Sequence, residues 1–270
     1  MNKIFRYSLI LLAIAAILGS GILLVLMYKG SQENNELSLN VEIKDSDYSS
    51  MTTIAKGETY SYDEYTIVKS NDSSENIGFW FGRNRDFKRP NSPLSIEEFK
   101  EYNSYYIGND NKVIYLTFDE GISDSQANKN LDTLKKHDIK ATFFVTKGFI
   151  EANPELVIRM RNEGHIVGNH TYSHPNMAKV AHEDPERFIK ELVVTEKAFK
   201  EVTGTEIDKV FRFPEGTFSK EALEWMKNYY HPGAVYLLHG VNKANAEVLD
   251  EFITYMKDLG YEFDVVTNLN

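Results

Sequence analysis

The sequence predicts a largely parallel α/β domain, open or closed into a barrel, behind an N-terminal membrane-spanning helix. Three observations predict it. From residue 111 onward, short apolar runs alternate with amphipathic stretches. Proline just inside, and glycine just past, those stretches mark helix starts and stops. An uncharged apolar segment fills Tyr7–Tyr28.

That segment spans about 33 Å as a helix, enough to cross a bilayer core. A cleaved signal peptide, cut near Gly19-Ser20-Gly21, is the competing reading. The apolar run continues through Ile22–Met27, which favours an uncleaved anchor over residues 1–30. Lys3 and Arg6 precede the span and Lys29 follows it, so the N-terminus is expected in the cytoplasm and residues 31–270 outside. The expectation is a single-pass protein of the cell membrane.

The chain has 270 residues, 30 Lys+Arg and 40 Asp+Glu. Three of the basic residues lie in the anchor, so the remainder is strongly acidic. That excludes nucleic acid as a partner and disfavours an anionic lipid surface, since both need clustered positive charge. A 42% hydrophobic share with 16 Phe, 16 Tyr and 2 Trp supports a packed core. There is no cysteine, which excludes disulfides, thiolate metal sites and a cysteine nucleophile.

Residues 31–76 are rich in Ser, Asn, Asp and Glu and are expected as a juxtamembrane stalk. Within it Leu37–Lys44 alternates strictly and Thr59–Val68 is rich in Tyr and β-branched residues, so short strands are the alternative reading there. Residues 77–110 form an aromatic lead-in expected to pack on the catalytic domain, 111–270.

In that domain the apolar runs are Val113–Phe118, Ala141–Thr146, His165–Gly168, Val210–Phe211, Ala234–Leu238 and Phe263–Val266. Asn153-Pro154 opens one helix and Gly164 closes it. Asp184-Pro185 opens a longer one, with Phe188, Leu192, Phe199 and Val202 on one face and Gly204 as its stop. Ser219 caps a helix through Trp225. Val248, Phe252, Met256 and Leu259 line the last helix before Gly260.

Active sites of parallel α/β folds lie at the C-terminal ends of the strands. There the sequence places Asp119, Glu120, His170, His174, Arg212 and His239. His170 and His174, four residues apart, have metal-ligand spacing without the intervening acid of the His-Glu-x-x-His proteases. Two histidines and a carboxylate leave an open position on zinc or a similar ion, as hydrolysis requires. Of the two adjacent acids, one can bind the metal while the other takes a proton from its water. Arg212 would orient a carboxylate and hold it ionised. His239 is placed to protonate a leaving amine. His137, His165, His182 and His231 have no such company and read as structural or solvated.

Thr117-Phe118-Asp119-Glu120-Gly121, His170-Thr171-Tyr172-Ser173-His174-Pro175, Arg212-Phe213-Pro214-Glu215-Gly216 and Leu237-Leu238-His239 together resemble the ordered motifs of the polysaccharide deacetylases. These are also called carbohydrate esterase family four, or NodB-homology proteins. The resemblance covers residues 80–270. It implies a distorted, incomplete (β/α) barrel in which a divalent metal, zinc foremost, activates water to remove an N-acetyl group. It further implies Asp119 as catalytic base, Arg212 as its holder and His239 as general acid. By the same resemblance Glu120, His170 and His174 are the metal ligands, and Pro214, Gly216 and Leu238 contact substrate. Tyr105–Asn109 and His231–His239 are similar to the delta-lactam-biosynthetic de-N-acetylases of spore cortex. That implies cell-wall glycan, peptidoglycan muramic acid, as substrate, and an amidase as the partner that prepares it.

Three departures stand out. Glu120 replaces the family's usual aspartate. Glu215 puts a second negative charge beside the expected oxyanion donor. Only Lys220–Tyr230 separates Ser219 from His231, where the family carries a helix, a strand with an Asp-Trp motif and another helix. The barrel is thus expected to be shortened by about one strand and one helix. The departures also raise a second reading, a degenerate member that binds cell-wall glycan without turnover.

Overall fold

The computed structural model describes residues 59–63, 65–68, 70–80, 90–108, 111–121, 126–229, 234–235 and 243–269, all within the unit Lys56–Asn270. The expected anchor over residues 1–30, the expected strand Leu37–Lys44, and the site residues Leu238 and His239 lie outside the described residues. Among the described residues, no helix is long and apolar enough to cross a membrane.

Thr59–Val68 folds as a hairpin. β1 (Thr59–Tyr62) and β2 (Tyr65–Val68) pair antiparallel, with Tyr62 opposite Tyr65. Ile67 is buried, and Tyr60, Tyr62 and Tyr65 pack on the same core as Phe188, Leu192 and Trp225. The hairpin is therefore part of the domain's packing, not of a solvated stalk.

The aromatic lead-in continues that core. β3 (Ile77–Gly78) pairs antiparallel with Thr217–Phe218. Helix Ile96–Glu101 starts in a reciprocal capping box between Ser95 and Glu98. It buries Phe99 against the rings of Phe79, Tyr106 and Phe218. β4 (Ser104–Tyr105) follows.

The apolar run Val113–Phe118 divides at Leu116 into β5 (Val113–Tyr115) and β6 (Thr117–Glu120). β6, β7 (Thr142–Val145) and β8 (Ile166–Asn169) form a parallel sheet in that order. A parallel bridge joins Asn169 to Phe211 at its edge. After β9 (Thr217–Phe218) comes helix Lys220–Tyr229, capped by Ser219, whose Oγ accepts from Ala222 N. β10 (Ala234–Val235) pairs parallel with β4, and β11 (Glu262–Asp264) pairs parallel with β5.

Helices alternating with parallel strands are what the sequence pattern predicts. A closed or nearly closed barrel is not formed by the described strands. They make three separate parallel ladders, β4–β10, β5–β11 and β6–β7–β8. Two local causes are visible. The break at Leu116 passes the chain from one ladder to another. Between Ser219 and β10 the described chain holds one helix and no strand, as the shortened segment implies.

The sheet is buried on both faces, which explains why Thr142–Val145 reads as a continuous run. Phe118, Phe143, Val145 and Val167 face the helices, packing with Leu131, Val157, Phe199 and Ile253. Phe144 faces the other way, toward Val210, Val266 and Leu269.

Helix Pro185–Thr203 runs as expected from its Asp184 cap to Gly204, which has φ 71°. Helix Lys243–Asp258 differs from its predicted face. Ala246, Leu249 and Ile253 are buried, whereas Val248, Phe252 and Leu259 are exposed along with Tyr255. The narrower Ala246–Leu249–Ile253 stripe points at the sheet. The bulkier apolar stripe, which dominated the pattern, points away.

Candidate active site

Residues alternate across a strand, so register decides which side chains can meet. Asp119 pairs with Phe144, and Phe144 with Gly168. His170 and Arg212 each lie one residue past the bridged pair Asn169–Phe211. Thr117, Asp119, Phe144, Gly168, His170 and Arg212 therefore share the face away from the helices. Gly168 makes this closeness feasible. A Cβ there would stand 2.6 Å from both Cγ2 and the carbonyl oxygen of Val210.

Arg212 is 4% exposed. Its Nη1 donates to Asp119 Oδ1 at 2.6 Å and its Nη2 to Thr117 Oγ1 at 2.8 Å. Its guanidinium also lies 4.3 Å from the Phe144 ring centroid. Burial lowers the Arg212 pKa, and the Asp119 carboxylate opposes that shift. The pair is charge-assisted and mostly desolvated, so it fixes the carboxylate strongly.

His170 is buried, and its Nδ1 is 2.9 Å from the Arg212 carbonyl oxygen. A carbonyl only accepts, so Nδ1 carries the proton and Nε2 presents its lone pair. Burial pushes the imidazole pKa down to about 4, against the opposing pull of Asp119 and of the Arg212 carbonyl. The ring is neutral at pH 7. The His174 ring crosses it edge-on, centroids 4.9 Å apart, and is exposed.

The loop joining the two histidines departs from ordinary backbone geometry. Thr171 has φ 73° and His174 φ 55°, each costing about 1–3 kcal/mol for a side-chain-bearing residue. Hydrogen bonds hold it there. Thr171 N donates to Asn169 Oδ1 at 2.8 Å and His174 N to Thr171 Oγ1 at 3.0 Å. Glu191 accepts from Ser173 N at 2.7 Å and Ser173 Oγ at 2.6 Å.

The expected trio of Glu120, His170 and His174 is not assembled. Among the described residues, no three His, Cys, Asp or Glu side chains group so as to hold a metal ion. The reason is periodicity. β6 runs through Glu120, whose carbonyl accepts from Thr146 N at 3.2 Å. Two consecutive residues inside a strand face opposite ways, so Glu120 falls on the helix-facing side with Val145. It is 1% exposed. Chemically, the two imidazoles fit a divalent ion, and the donor set falls one short of the three that catalytic zinc sites take.

Pro214 is buried and Gly216 partly exposed, in a single 3-10 turn. Glu215 between them is exposed, at φ 59°, so its charge faces solvent. Phe79 N donates to Gly216 O at 2.7 Å, which ties the lead-in to this turn. Of the other histidines, His165 is buried, with Nδ1 accepting from Ala141 N at 3.1 Å, and His137 pairs with Asp250. His182 lies 3.7 Å from Glu221. His165 and His137 are held within the fold, whereas His182 is largely solvated. Thr117, Phe144 and Glu191 were missed. Thr117 could have been found, because it lies two residues before Asp119 on one strand face. Glu191 leaves no signal near the motif it holds.

The parallel sheet thus carries an arginine-held aspartate and a histidine pair at its strand ends. The polysaccharide deacetylase family profile matches residues 107–233. The chain belongs to that family. It is 35% identical over 231 residues to the peptidoglycan-N-acetylmuramic acid deacetylase PdaA of Bacillus subtilis (strain 168), covering 73% of this chain and 86% of that one. The structure of Bacillus subtilis PdaA, a family 4 carbohydrate esterase, superposes with TM-score 0.65 at 32% identity, over 73% of this chain and 97% of that one. A family 4 carbohydrate esterase from Bacillus anthracis superposes with TM-score 0.60 at 31% identity, over 74% and 98%.

Proposed function

We propose that this chain removes N-acetyl groups from cell-wall polysaccharide, on the outer side of a membrane to which its N-terminal segment anchors it. Peptidoglycan muramic acid is the substrate we favour. The observation that carries this reading is the Arg212–Asp119 pair beside His170, whose Nδ1 is turned to the Arg212 carbonyl. The likeness to a muramic acid deacetylase supports it.

In this reading Asp119, held in place by Arg212, takes a proton from water as that water attacks the acetamide carbonyl. The carbon becomes tetrahedral and its oxygen negative. Collapse breaks the C–N bond, and His239 donates the proton that the leaving nitrogen needs. Acetate and a free amino sugar result. Pro214, Gly216 and Leu238 line the sugar's position. An amidase that strips the stem peptide is the partner such a substrate calls for.

A divalent ion, zinc foremost, suits the two imidazoles. With Glu120 on the other strand face the donor set is incomplete. That incompleteness favours one second reading, glycan binding without turnover. Acetate release by the full-length protein from peptide-stripped peptidoglycan separates the two. Release that disappears in Asp119→Asn supports the enzyme. Glycan binding by folded protein with no acetate supports the second reading.

A further inference from the structure

We infer that Glu191 is a positioning residue for the histidine-bearing loop, acting through Ser173. The inference rests on the proposed function, with the loop joined to the Asp119–Arg212 pair through His170, whose Nδ1 bonds the Arg212 carbonyl. Glu191 lies on helix Pro185–Thr203, and its side chain is 3% exposed. Burying a carboxylate is costly unless it is paired and hydrogen-bonded. Here one oxygen accepts the Ser173 amide at 2.7 Å and the other accepts the Ser173 hydroxyl at 2.6 Å. Arg187 Nε, 3.4 Å away, supplies the cation from the helix's preceding turn.

The anchoring goes beyond the side chain. The Glu191 carbonyl accepts from Tyr172 N at 2.9 Å, and the next carbonyl, Leu192 O, accepts from Asn169 Nδ2 at 3.0 Å. One helical turn therefore holds three residues of the segment 169–173. The two left-handed residues, Thr171 and His174, flank the anchored pair Tyr172–Ser173. Such backbone persists only where its surroundings over-determine it. The carboxylate is the part of this clamp that a packing role does not require, because the helix neighbours Phe188 and Leu192 already fill the core. What it adds is a fixed Ser173, and with it a fixed separation between the His170 and His174 rings.

The test compares Glu191→Leu, Glu191→Gln and Ser173→Ala in the full-length protein. Glu191→Leu removes the buried charge and leaves only the half-exposed Arg187 cation, which water can solvate, so the variant is expected to fold. Its kcat for acetate release should fall at least 10-fold with KM within twofold. Glu191→Gln still offers an acceptor and a donor to Ser173 and should recover most of that loss. Ser173→Ala should fall between them. Amide exchange at Ser173 should accelerate at least 10-fold in Glu191→Leu and stay near wild type in Glu191→Gln. Wild-type kcat in a folded Glu191→Leu variant, a loss seen only in KM, or unchanged Ser173 exchange would overturn the inference. If wild-type protein releases no acetate, the proposed function fails on its own, and the exchange rates still decide whether Glu191 pins the loop.

Discussion

Arg212 reaches Asp119 and Thr117 at once, through two nitrogens of one planar guanidinium, at 2.6 and 2.8 Å. Asp119 and Thr117 are two apart on β6, so the arginine bridges one face of a single strand.

Removing the cation should strand the carboxylate. Arg212→Met is expected to cost about 3 kcal/mol in urea unfolding, the low end for a broken buried pair because Asp119 keeps some exposure. Asp119→Asn should cost less, since the amide still accepts from the guanidinium. Both should lose acetate release. Equal stability of Arg212→Met and wild type would mean that the pair contributes nothing to the fold.

Gly168 has no room for a methyl group, because the obstruction includes the Val210 backbone. Gly168→Ala should destabilise by about 1–3 kcal/mol through overpacking. It should also reduce turnover, as His170 lies two residues further along. A crystal structure of the variant with Val210 unmoved would contradict this account.

His165 is buried, and desolvation lowers its pKa from 6.5 to about 4. The folded form is neutral where the unfolded chain takes up a proton. Its contribution is therefore complete above pH 6.5 and is lost as pH falls toward 4. The full shift is worth on the order of 3 kcal/mol. Thermal melts across that range should show the decline, and His165→Gln should flatten it.

Metal uptake tests the strand register. After chelation and dialysis, zinc binding by His170→Ala should fall at least 10-fold. Glu120→Gln should change it by less than threefold if Glu120 stays on the helix-facing side. Equal losses in the two variants would show that Glu120 turns to the histidine face.

Much of this site could be read before the structure. Alternating runs and the Asn153-Pro154 and Asp184-Pro185 starts located the strand ends, and strand ends gather Asp119, His170 and Arg212 whatever the loops do. What could not be read depended on side-chain direction and on distant partners. Asp119-Glu120 looked like two acids entering one cleft, but whether the second turns depends on where β6 stops, and it stops at Glu120 rather than Asp119. Val113–Phe118 looked like one strand because apolar content does not reveal that Leu116 separates two pairing partners. Glu191 was invisible because its partner, Ser173, lies on another element.

β11 pairs with β5, and Lys112 Nζ bonds the carbonyl of Leu259, 147 residues away in sequence. β5 leads into β6 and so into Asp119. A growing chain thus makes its aspartate long before it makes the strand that secures the approach to it. Such distant closure slows folding. A ribosomal stop or a protease nick before residue 262 would leave all the first-made motif residues present on an unfinished ladder.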